Sequence, residues 1–198
     1  MVKSADLHSG MTDPSPWVRR FAGLVPDGGL VLDVACGGGR HTHLFLGLGH
    51  PVLALDRDLS RLGDLAGTAG LETVEADLED GSPWPLGGRR FAGIVVTNYL
   101  YRPILRALAD ALAPGGVLIY ETFAAGNQRY GKPSNPDHLL RPGELLETVS
   151  GRLRVVAYEN GIIETPRQAA IQRVCAVRVP DDAAPLPLFP DSEDPGTA

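Results

Sequence analysis

The chain has 198 residues, and its 18 basic and 24 acidic side chains give a formal net charge of −6. Five of the acids and no Lys or Arg fall in residues 180–198, so residues 1–179 are nearly neutral at −1. A nucleic-acid binder would normally carry a strong basic excess, so nucleic acid is not an expected partner.

The sequence also argues against a membrane or secreted protein. No apolar run approaches the ~18 residues of a membrane span, and the amino terminus does not show the apolar stretch of a signal peptide. The two cysteines, Cys36 and Cys175, form neither a disulfide framework nor a metal cluster of the usual spacing. We therefore predict a soluble, cytoplasmic protein without membrane contact.

Apolar segments of strand length alternate with amphipathic segments of helix length, which is typical of an α/β domain with a mostly parallel sheet. Strand and helix alternate from the first buried strand onward. We predict strands at residues 30–35, 52–56, 71–76, 91–97 and 117–123, and helices at about 40–48, 59–66 and 104–112.

The residue composition changes after the fifth strand. Residues 124–142 contain three Pro, two Gly and two Asn, which predicts a long loop on the substrate side, and loops this long in a compact domain are usually functional or disordered. A helix beginning near residues 142–144 and two strands, at about 153–158 and 170–179, complete the sheet. Asn160-Gly161 predicts the turn between those strands and hence an antiparallel pair. We expect one domain over residues 1–179 and an unstructured, acidic, Pro-rich tail over 180–198.

Ligands of open parallel sheets bind at the carboxyl ends of the strands. The first strand runs into three consecutive glycines, Gly37 to Gly39, which permit positive φ angles and close approach of the backbone to a ligand. A dinucleotide site needs a third glycine where Thr42 stands, so that pattern is incomplete.

Acids follow the next two strands. Asp56 ends the second strand and could accept both hydroxyl protons of a ribose, or either Asp56 or Asp58 could cap a helix. Asp77 could accept from the exocyclic amino group of adenine while the next backbone N–H, that of Leu78, donates to a ring nitrogen. The alternative for Asp77 is a solvated turn.

These segments together resemble the class I S-adenosylmethionine-dependent methyltransferases over about Leu30 to Phe123. The resemblance is carried by VLDVACGGGRH, LALDRD, VEADLED, FAGIVVTNYLY and LAPGGVLIYETF, and the short chain looks most like the small tellurite-resistance-type bacterial group. It implies a Rossmann-like, doubly wound, seven-stranded sheet, mostly parallel with the last strand antiparallel. It also implies S-adenosylmethionine as cofactor. One departure is Ala35, where the family commonly has glycine; alanine is tolerated there if its φ is negative.

The resemblance also implies site residues. The expected cofactor-binding residues are Asp33, Ala35, Cys36, Gly37, Gly39, Asp56, Arg57, Asp77, Leu78 and Asn98. Asn98 and Tyr99 follow the fourth strand, from which the family faces the transferable methyl, and are the candidate catalytic residues; packing in a turn is the alternative. Tyr101 after the fourth strand is a candidate substrate residue with the same alternative. Further candidates lie at the end of the fifth strand and on the long loop, where a solvated surface is the alternative: Glu121, Arg129, Tyr130, Lys132, Asn135 and His138.

The leading hypothesis is methyl transfer from S-adenosylmethionine to a small-molecule acceptor. A nicotinamide-dependent oxidoreductase, based on Gly37, Gly39 and Asp56, and a non-catalytic S-adenosylmethionine-binding protein are the alternatives. We predict no metal site, because His41 and His43 point to different faces of a helix. Three basic residues lie on or beside the loop, Arg129, Lys132 and Arg141, and this local positive charge is compatible with an anionic acceptor. The acceptor atom and the oligomeric state stay open.

Overall fold

The computed structural model describes residues 13–179, and the predicted tail at 180–198 lies outside them. Seven strands form one sheet in the order β3-β2-β1-β4-β5-β7-β6. The strands are β1 (Val31–Val34), β2 (Val52–Asp56), β3 (Leu71–Glu75), β4 (Phe91–Thr97), β5 (Leu112–Phe123), β6 (Arg154–Ile163) and β7 (Ala169–Val177). The α-helices are α1 (Pro16–Phe21), α2 (Arg40–Gly47), α3 (Leu105–Asp110) and α4 (Glu144–Val149).

The direction of the strands confirms the predicted fold class. Strands β1 to β5 are parallel, and β7 runs antiparallel between β5 and β6. The chain winds from β1 outward to β3 and then returns to the other side of β1 with β4. The strand order therefore reverses beside β1, which is where open α/β sheets bind ligands.

Apolar layers cover both faces of the sheet. Along β1, Leu32 and Val34 belong to the layer that packs against α3 and α4, whereas Val31 belongs to the layer under α1 and α2. All three side chains are fully buried. Strands covered on both faces read as continuous apolar runs, which is why β1, β2 and β4 were recognisable from sequence.

The expected turn at Asn160-Gly161 is wrong in position, although the antiparallel pair itself is present. Both residues lie inside β6, where Asn160 pairs with Gln172 and Gly161 with Ile171. The apolar residues that follow extend the pairing with β7 to Ile163, and residues 164–168 make the turn. Strand pairing here overrides the local turn preference of Asn-Gly.

Three other elements differ from expectation. The expected α-helix at 59–66 is a 3-10 segment, Leu59–Leu65, because Gly63 at φ 52° and ψ −127° breaks it. Strand β5 begins at Leu112 rather than residue 117. Helix α1 was not expected; Ser15 caps it by accepting from the Trp17 N–H. None of the helices described for residues 13–179 is long and apolar enough to cross a membrane.

Candidate active site

The carboxyl ends of β1, β2, β4 and β5 open into a cleft of about 1450 Å³. Pockets for one small ligand are usually about 300–1,000 Å³, so the cleft has room for two molecules side by side. It brings together most of the residues predicted from sequence: Ala35, Cys36, Gly37, Gly39, Asp56, Arg57, Asp77, Leu78, Asn98, Tyr99, Glu121 and His138.

Four predicted site residues do not line the cleft. Tyr101 is partly buried against the core, and Arg129 and Tyr130 lie at a short 3-10 turn of the long loop. Asp33 is buried beneath α2, where its Oδ2 accepts from the Thr42 N–H at 2.9 Å and the Thr42 hydroxyl at 2.7 Å. Burial raises the pKa of Asp33 to about 6, against these hydrogen bonds, which lower it. Asp33 therefore holds the first turn of α2.

The loop between β1 and α2 has three residues in the left-handed region. Gly37 and Gly39 have φ angles of 55° and 74°, as their glycine identity permits. Ala35 has φ 52°, so the condition of a negative φ is not met. The left-handed region costs a non-glycine residue roughly 1–2 kcal/mol, which the surrounding hydrogen bonds must offset.

Gly39 is also constrained by space. A Cβ at Gly39 would lie 2.7 Å from Leu65 Cδ1 and 2.8 Å from Leu62 Cδ2. The 3-10 segment after β2 therefore packs directly on the glycine loop. Sequence reasoning found this glycine through its motif, but the close approach of two distant leucines has no local signal.

Asp56 fixes the glycine loop to the end of β2. Its Oδ2 accepts from the Gly37 N–H at 2.8 Å and its Oδ1 accepts from the Asp58 N–H at 3.0 Å. A carboxylate offers about four acceptor sites, so the side chain retains capacity for ligand hydroxyls. The cap of the following 3-10 segment is Asp58, which accepts from the Ser60 N–H. Asp56 is therefore not the cap, and it lines the cleft.

Asp77 sits at the exposed edge of the cleft, after β3. Its Oδ1 accepts from the Glu79 N–H at 2.9 Å, so it shapes a turn and lines the cleft at once. Leu78 between them is buried against the core. The backbone at this point is therefore held in a defined position at the cleft wall.

Asn98 and Tyr99 close the end of β4. Asn98 has φ 55°, which asparagine tolerates better than most residues, and its N–H donates to the Glu121 carbonyl at 2.9 Å. Burial, and then the charge of Glu79, raise the pKa of the Tyr99 phenol. The hydrogen bond between this phenol and the Glu79 side chain is a further cause of the raised pKa, and the phenol stays protonated at neutral pH.

A buried histidine supports the wall behind the glycine loop. The Ser15 N–H donates to His41 Nε2 at 3.1 Å, so the ring proton is on Nδ1, which faces Thr97 Oγ1 at 3.4 Å. Burial, with the nearby charge of Arg40, lowers the pKa of His41 to about 3. His41 is therefore neutral and has a structural role.

Glu121 is held by groups that sequence reasoning did not find. The Ser15 hydroxyl donates to its Oε1 at 2.7 Å, and Arg173 donates to its Oε2 at 2.9 Å. The Arg173 guanidinium also lies 4.6 Å from the centre of the Trp17 ring. Both partners are far from Glu121 in sequence: Ser15 is the N-cap of α1, and Arg173 lies opposite Glu121 in the antiparallel register of β5 and β7.

Arg40 is a further cleft residue that was missed as a candidate. It follows the glycine loop directly, and its guanidinium donates to the Asp13 carbonyl at 3.3 Å and to Thr97 Oγ1 at 3.4 Å. Within residues 13–179 no carboxylate lies within 4.0 Å of it. This leaves a cation available to an anionic ligand group. In the same part of the chain, no cluster of three or more His, Cys, Asp or Glu is placed to hold a metal ion.

Comparison with known proteins extends these observations. No protein-family model matches the sequence, and no curated protein matches it. TehB from Haemophilus influenzae is similar in structure, with a TM-score of 0.67 and 18% identity over 81% of this chain and 61% of that one. A TehB-like S-adenosylmethionine-dependent methyltransferase from Corynebacterium glutamicum has a TM-score of 0.58 and 20% identity, over 82% and 86%. The chain has the S-adenosylmethionine-dependent methyltransferase fold.

A third structure with the methyltransferase fold was solved with both of its ligands. It is the 1,6-didemethyltoxoflavin-N1-methyltransferase of Burkholderia thailandensis with 1,6-didemethyltoxoflavin and S-adenosylhomocysteine bound. Its TM-score is 0.60 at 20% identity, over 83% of this chain and 76% of that one. This chain thus spans less than two thirds of the Haemophilus protein and more of the other two. At these identities the likeness concerns the fold, and it confirms the architecture that the sequence resemblance implied.

Proposed function

We propose that the protein transfers a methyl group from S-adenosylmethionine to a small-molecule acceptor. The observation that carries the proposal is the 2.8 Å hydrogen bond from the Gly37 N–H to Asp56 Oδ2. It joins a left-handed glycine loop to a carboxylate at the point where the strand order reverses. The methyltransferase fold supports the same function.

Each part of the cofactor has a matching group in the cleft. Asp56 would accept from the ribose hydroxyls, and Asp77 with the Leu78 N–H would bind the adenine edge. The guanidinium of Arg40 would pair with the carboxylate of the methionine part. These groups follow β2, β3 and β1, so one edge of the sheet supplies the whole site.

When bound between Asp56 and Arg40, the cofactor would supply an electrophilic methyl, whose transfer to an acceptor lone pair would leave its sulfur as a neutral thioether. Such a displacement depends mainly on orientation, which can contribute about 7–11 kcal/mol. The Tyr99 phenol keeps its proton, and both oxygens of Glu121 accept from neighbours. Neither group is a strong base, so the arrangement suits an acceptor whose lone pair is available without deprotonation.

Thr42 argues against the nicotinamide alternative. It stands at the third glycine position of the dinucleotide motif, and both its N–H and its hydroxyl bind the buried Asp33 carboxylate. A threonine held in this way fills the space that a dinucleotide site reserves for close packing of helix on strand.

Calorimetry with S-adenosylmethionine and S-adenosylhomocysteine tests the proposal. The wild type should bind both, and Asp56→Ala should weaken binding about 10- to 100-fold, because charge-assisted hydrogen bonds contribute about 1.5–3 kcal/mol. Asp58→Ala is the matched control, since Asp58 accepts from Ser60 and caps the next segment. No binding of either compound at millimolar concentration would overturn the proposal, and binding of a nicotinamide cofactor instead would favour the oxidoreductase alternative. Binding without methyl transfer to any compound of a metabolite extract would favour the non-catalytic alternative.

We also propose a cytoplasmic location. Both cysteines of the chain, Cys36 and Cys175, are free and buried. Burial raises the pKa of each thiol, so neither is a reactive thiolate. Free thiols without disulfides suit a reducing compartment. Fractionation of cells that express the tagged protein tests this location.

A further inference from the structure

The side of the cleft beyond β5 is bounded by two segments that are tied together. Arg167, in the turn between β6 and β7, donates from Nη2 to the Lys132 carbonyl at 3.0 Å. The buried Asn127 side chain donates to the Pro133 carbonyl at 2.9 Å and accepts from the Ala170 N–H at 3.2 Å. The long loop and the turn that leads into β7 therefore hold each other in place, and we call the cleft-lining pair Lys132 and Arg167 the basic rim.

The two cationic side chains of the basic rim face no carboxylate. Among the described residues, no Asp or Glu oxygen lies within 4.0 Å of the Lys132 ammonium or the Arg167 guanidinium. Both residues line the cleft. Arg167 has five N–H donors, and its bond to the Lys132 carbonyl uses one of them.

Carboxylates on the same side of the cleft are engaged elsewhere. Glu121 accepts from Ser15 and Arg173, as described above. Glu164 accepts from the Gln168 amide at 3.1 Å. The positive charges of the basic rim are therefore not neutralised by direct contact with these acids.

An apolar surface lies beside these charges. The Arg167 guanidinium sits 5.3 Å from the centre of the Phe123 ring, which fixes its orientation. Phe123 packs in a small cluster with Ala169 and Ile171, and Ile163 lies against it. All four of these residues line the cleft. The basic rim thus borders an apolar floor. The groups proposed to bind the cofactor follow β1, β2 and β3, on the other side of β4 and β5.

We propose that the basic rim binds the carboxylate of the acceptor, whose apolar body rests on Phe123, Ile163 and Ile171. The inference rests on the proposed methyl transfer and names the acceptor class: a small organic acid with an apolar or aromatic body. An Arg and a Lys together suit a carboxylate, because the guanidinium can bind both oxygens while the ammonium adds a point charge. Sequence reasoning pointed to Arg129 and Arg141 beside Lys132; the structure puts Arg167 in their place.

The test is calorimetry on the full-length protein saturated with S-adenosylhomocysteine. The probes are benzoate, phenylacetate and octanoate, each paired with its neutral amide. At least one acid should bind more tightly than its amide, and Arg167→Gln and Lys132→Met should each weaken that acid about tenfold without changing the amide. Arg129→Gln is the matched control, since Arg129 is exposed on the same loop but outside the cleft. Melting curves check that each variant is folded.

Equal binding of every acid and its amide, or no binding of any of the six probes, would overturn the acceptor class. The same holds if Arg129→Gln weakens binding as much as the two rim variants do. Because saturation with S-adenosylhomocysteine is measured first, its failure would count against the proposed function, whereas failure of the probes alone would count against the acceptor class.

Discussion

The Gly37 N–H donates to Asp56 Oδ2 across 2.8 Å, although 19 positions separate the two residues in the chain. The register explains the contact, because Val34 pairs with Leu55 and the ends of β1 and β2 lie level at one edge of the sheet. The glycine loop and the acid therefore act as one unit. A change that moves either should disturb the site as a whole.

The left-handed conformation of Ala35 predicts that glycine at this position stabilises the protein. Ala35→Gly should raise the free energy of unfolding by about 1 kcal/mol, because glycine adopts a φ of 52° without the steric cost that alanine bears. Urea unfolding measures the change. Ala76→Gly is the matched control: Ala76 also lines the cleft but lies outside the left-handed region, so glycine there should destabilise by about 0.5–1 kcal/mol. Destabilisation by both variants would contradict the strain at Ala35.

The two left-handed glycines of the loop should differ in their tolerance of alanine. Gly39→Ala should cost about 2–3 kcal/mol, because its Cβ would approach the terminal methyls of Leu65 and Leu62 to 2.7 and 2.8 Å, and these side chains must shift in addition to the backbone strain. Gly37→Ala should cost only the strain, about 1–2 kcal/mol, since the nearest atom, on Arg61, is 3.7 Å away. Thermal and urea unfolding distinguish the two, and equal losses would show that packing on Gly39 is not limiting.

The ionisation of Asp33 should affect stability at mildly acid pH. Burial raises its pKa from 3.8 to about 6, so the folded state holds a proton that the unfolded chain loses between these values. The contribution of this proton to stability is complete below the unfolded pKa, and it falls by about 3 kcal/mol as the pH rises through 6. In Asp33→Asn the amide oxygen can accept both hydrogen bonds from Thr42, and this fall in stability with rising pH should disappear. Urea unfolding of both proteins from about pH 4 to 7 measures it; parallel profiles would refute the raised pKa.

The ionisation of His41 should have the opposite effect on stability over the same pH range. Its pKa is lowered from 6.5 to about 3, so below pH 6.5 the unfolded chain takes up a proton that the folded protein does not. Its contribution is complete above pH 6.5 and falls by about 1.4 kcal/mol for each pH unit toward 3. In the wild type it should largely offset Asp33 between about pH 4 and 6. His41→Gln, which can still accept from the Ser15 N–H, should therefore become more stable relative to the wild type as the pH falls. A constant difference between the two would contradict this.

Local patterns and long-range contacts differ in how far the sequence could predict them. The apolar pattern predicted β4 with its observed bounds, and the glycine motif predicted the left-handed loop after β1. The partners of Glu121 lie 106 and 52 positions away, in Ser15 and Arg173, and only the folded chain brings them together. The turn expected at Asn160-Gly161 failed for the same reason, because pairing with β7 outweighs a local preference.

Arg102 should be the main support of the long loop at its α4 end. Its guanidinium donates from Nε at 2.7 Å and from Nη2 at 3.1 Å to the two carboxylate oxygens of Glu144, and it also donates to the Leu139 carbonyl at 2.8 Å. Burial acts to raise the pKa of Glu144, but hydrogen bonds from Arg102 and the Arg141 N–H leave it below its usual value. The buried carboxylate thus depends on its partners to stay ionised.

Arg102→Ala should therefore destabilise the protein by about 2–3 kcal/mol, somewhat less than a fully buried pair because Arg102 is partly exposed and the Arg141 N–H remains. Arg102→Lys should restore only part of this, since an ammonium cannot reproduce the fork. Arg106→Ala is the control: its pair with Asp110 is 3.7 Å long and solvent-exposed, and its loss should change stability by less than about 0.5 kcal/mol. Limited proteolysis should cut the loop faster in Arg102→Ala than in Arg106→Ala, and equal cutting would show that other contacts hold the loop.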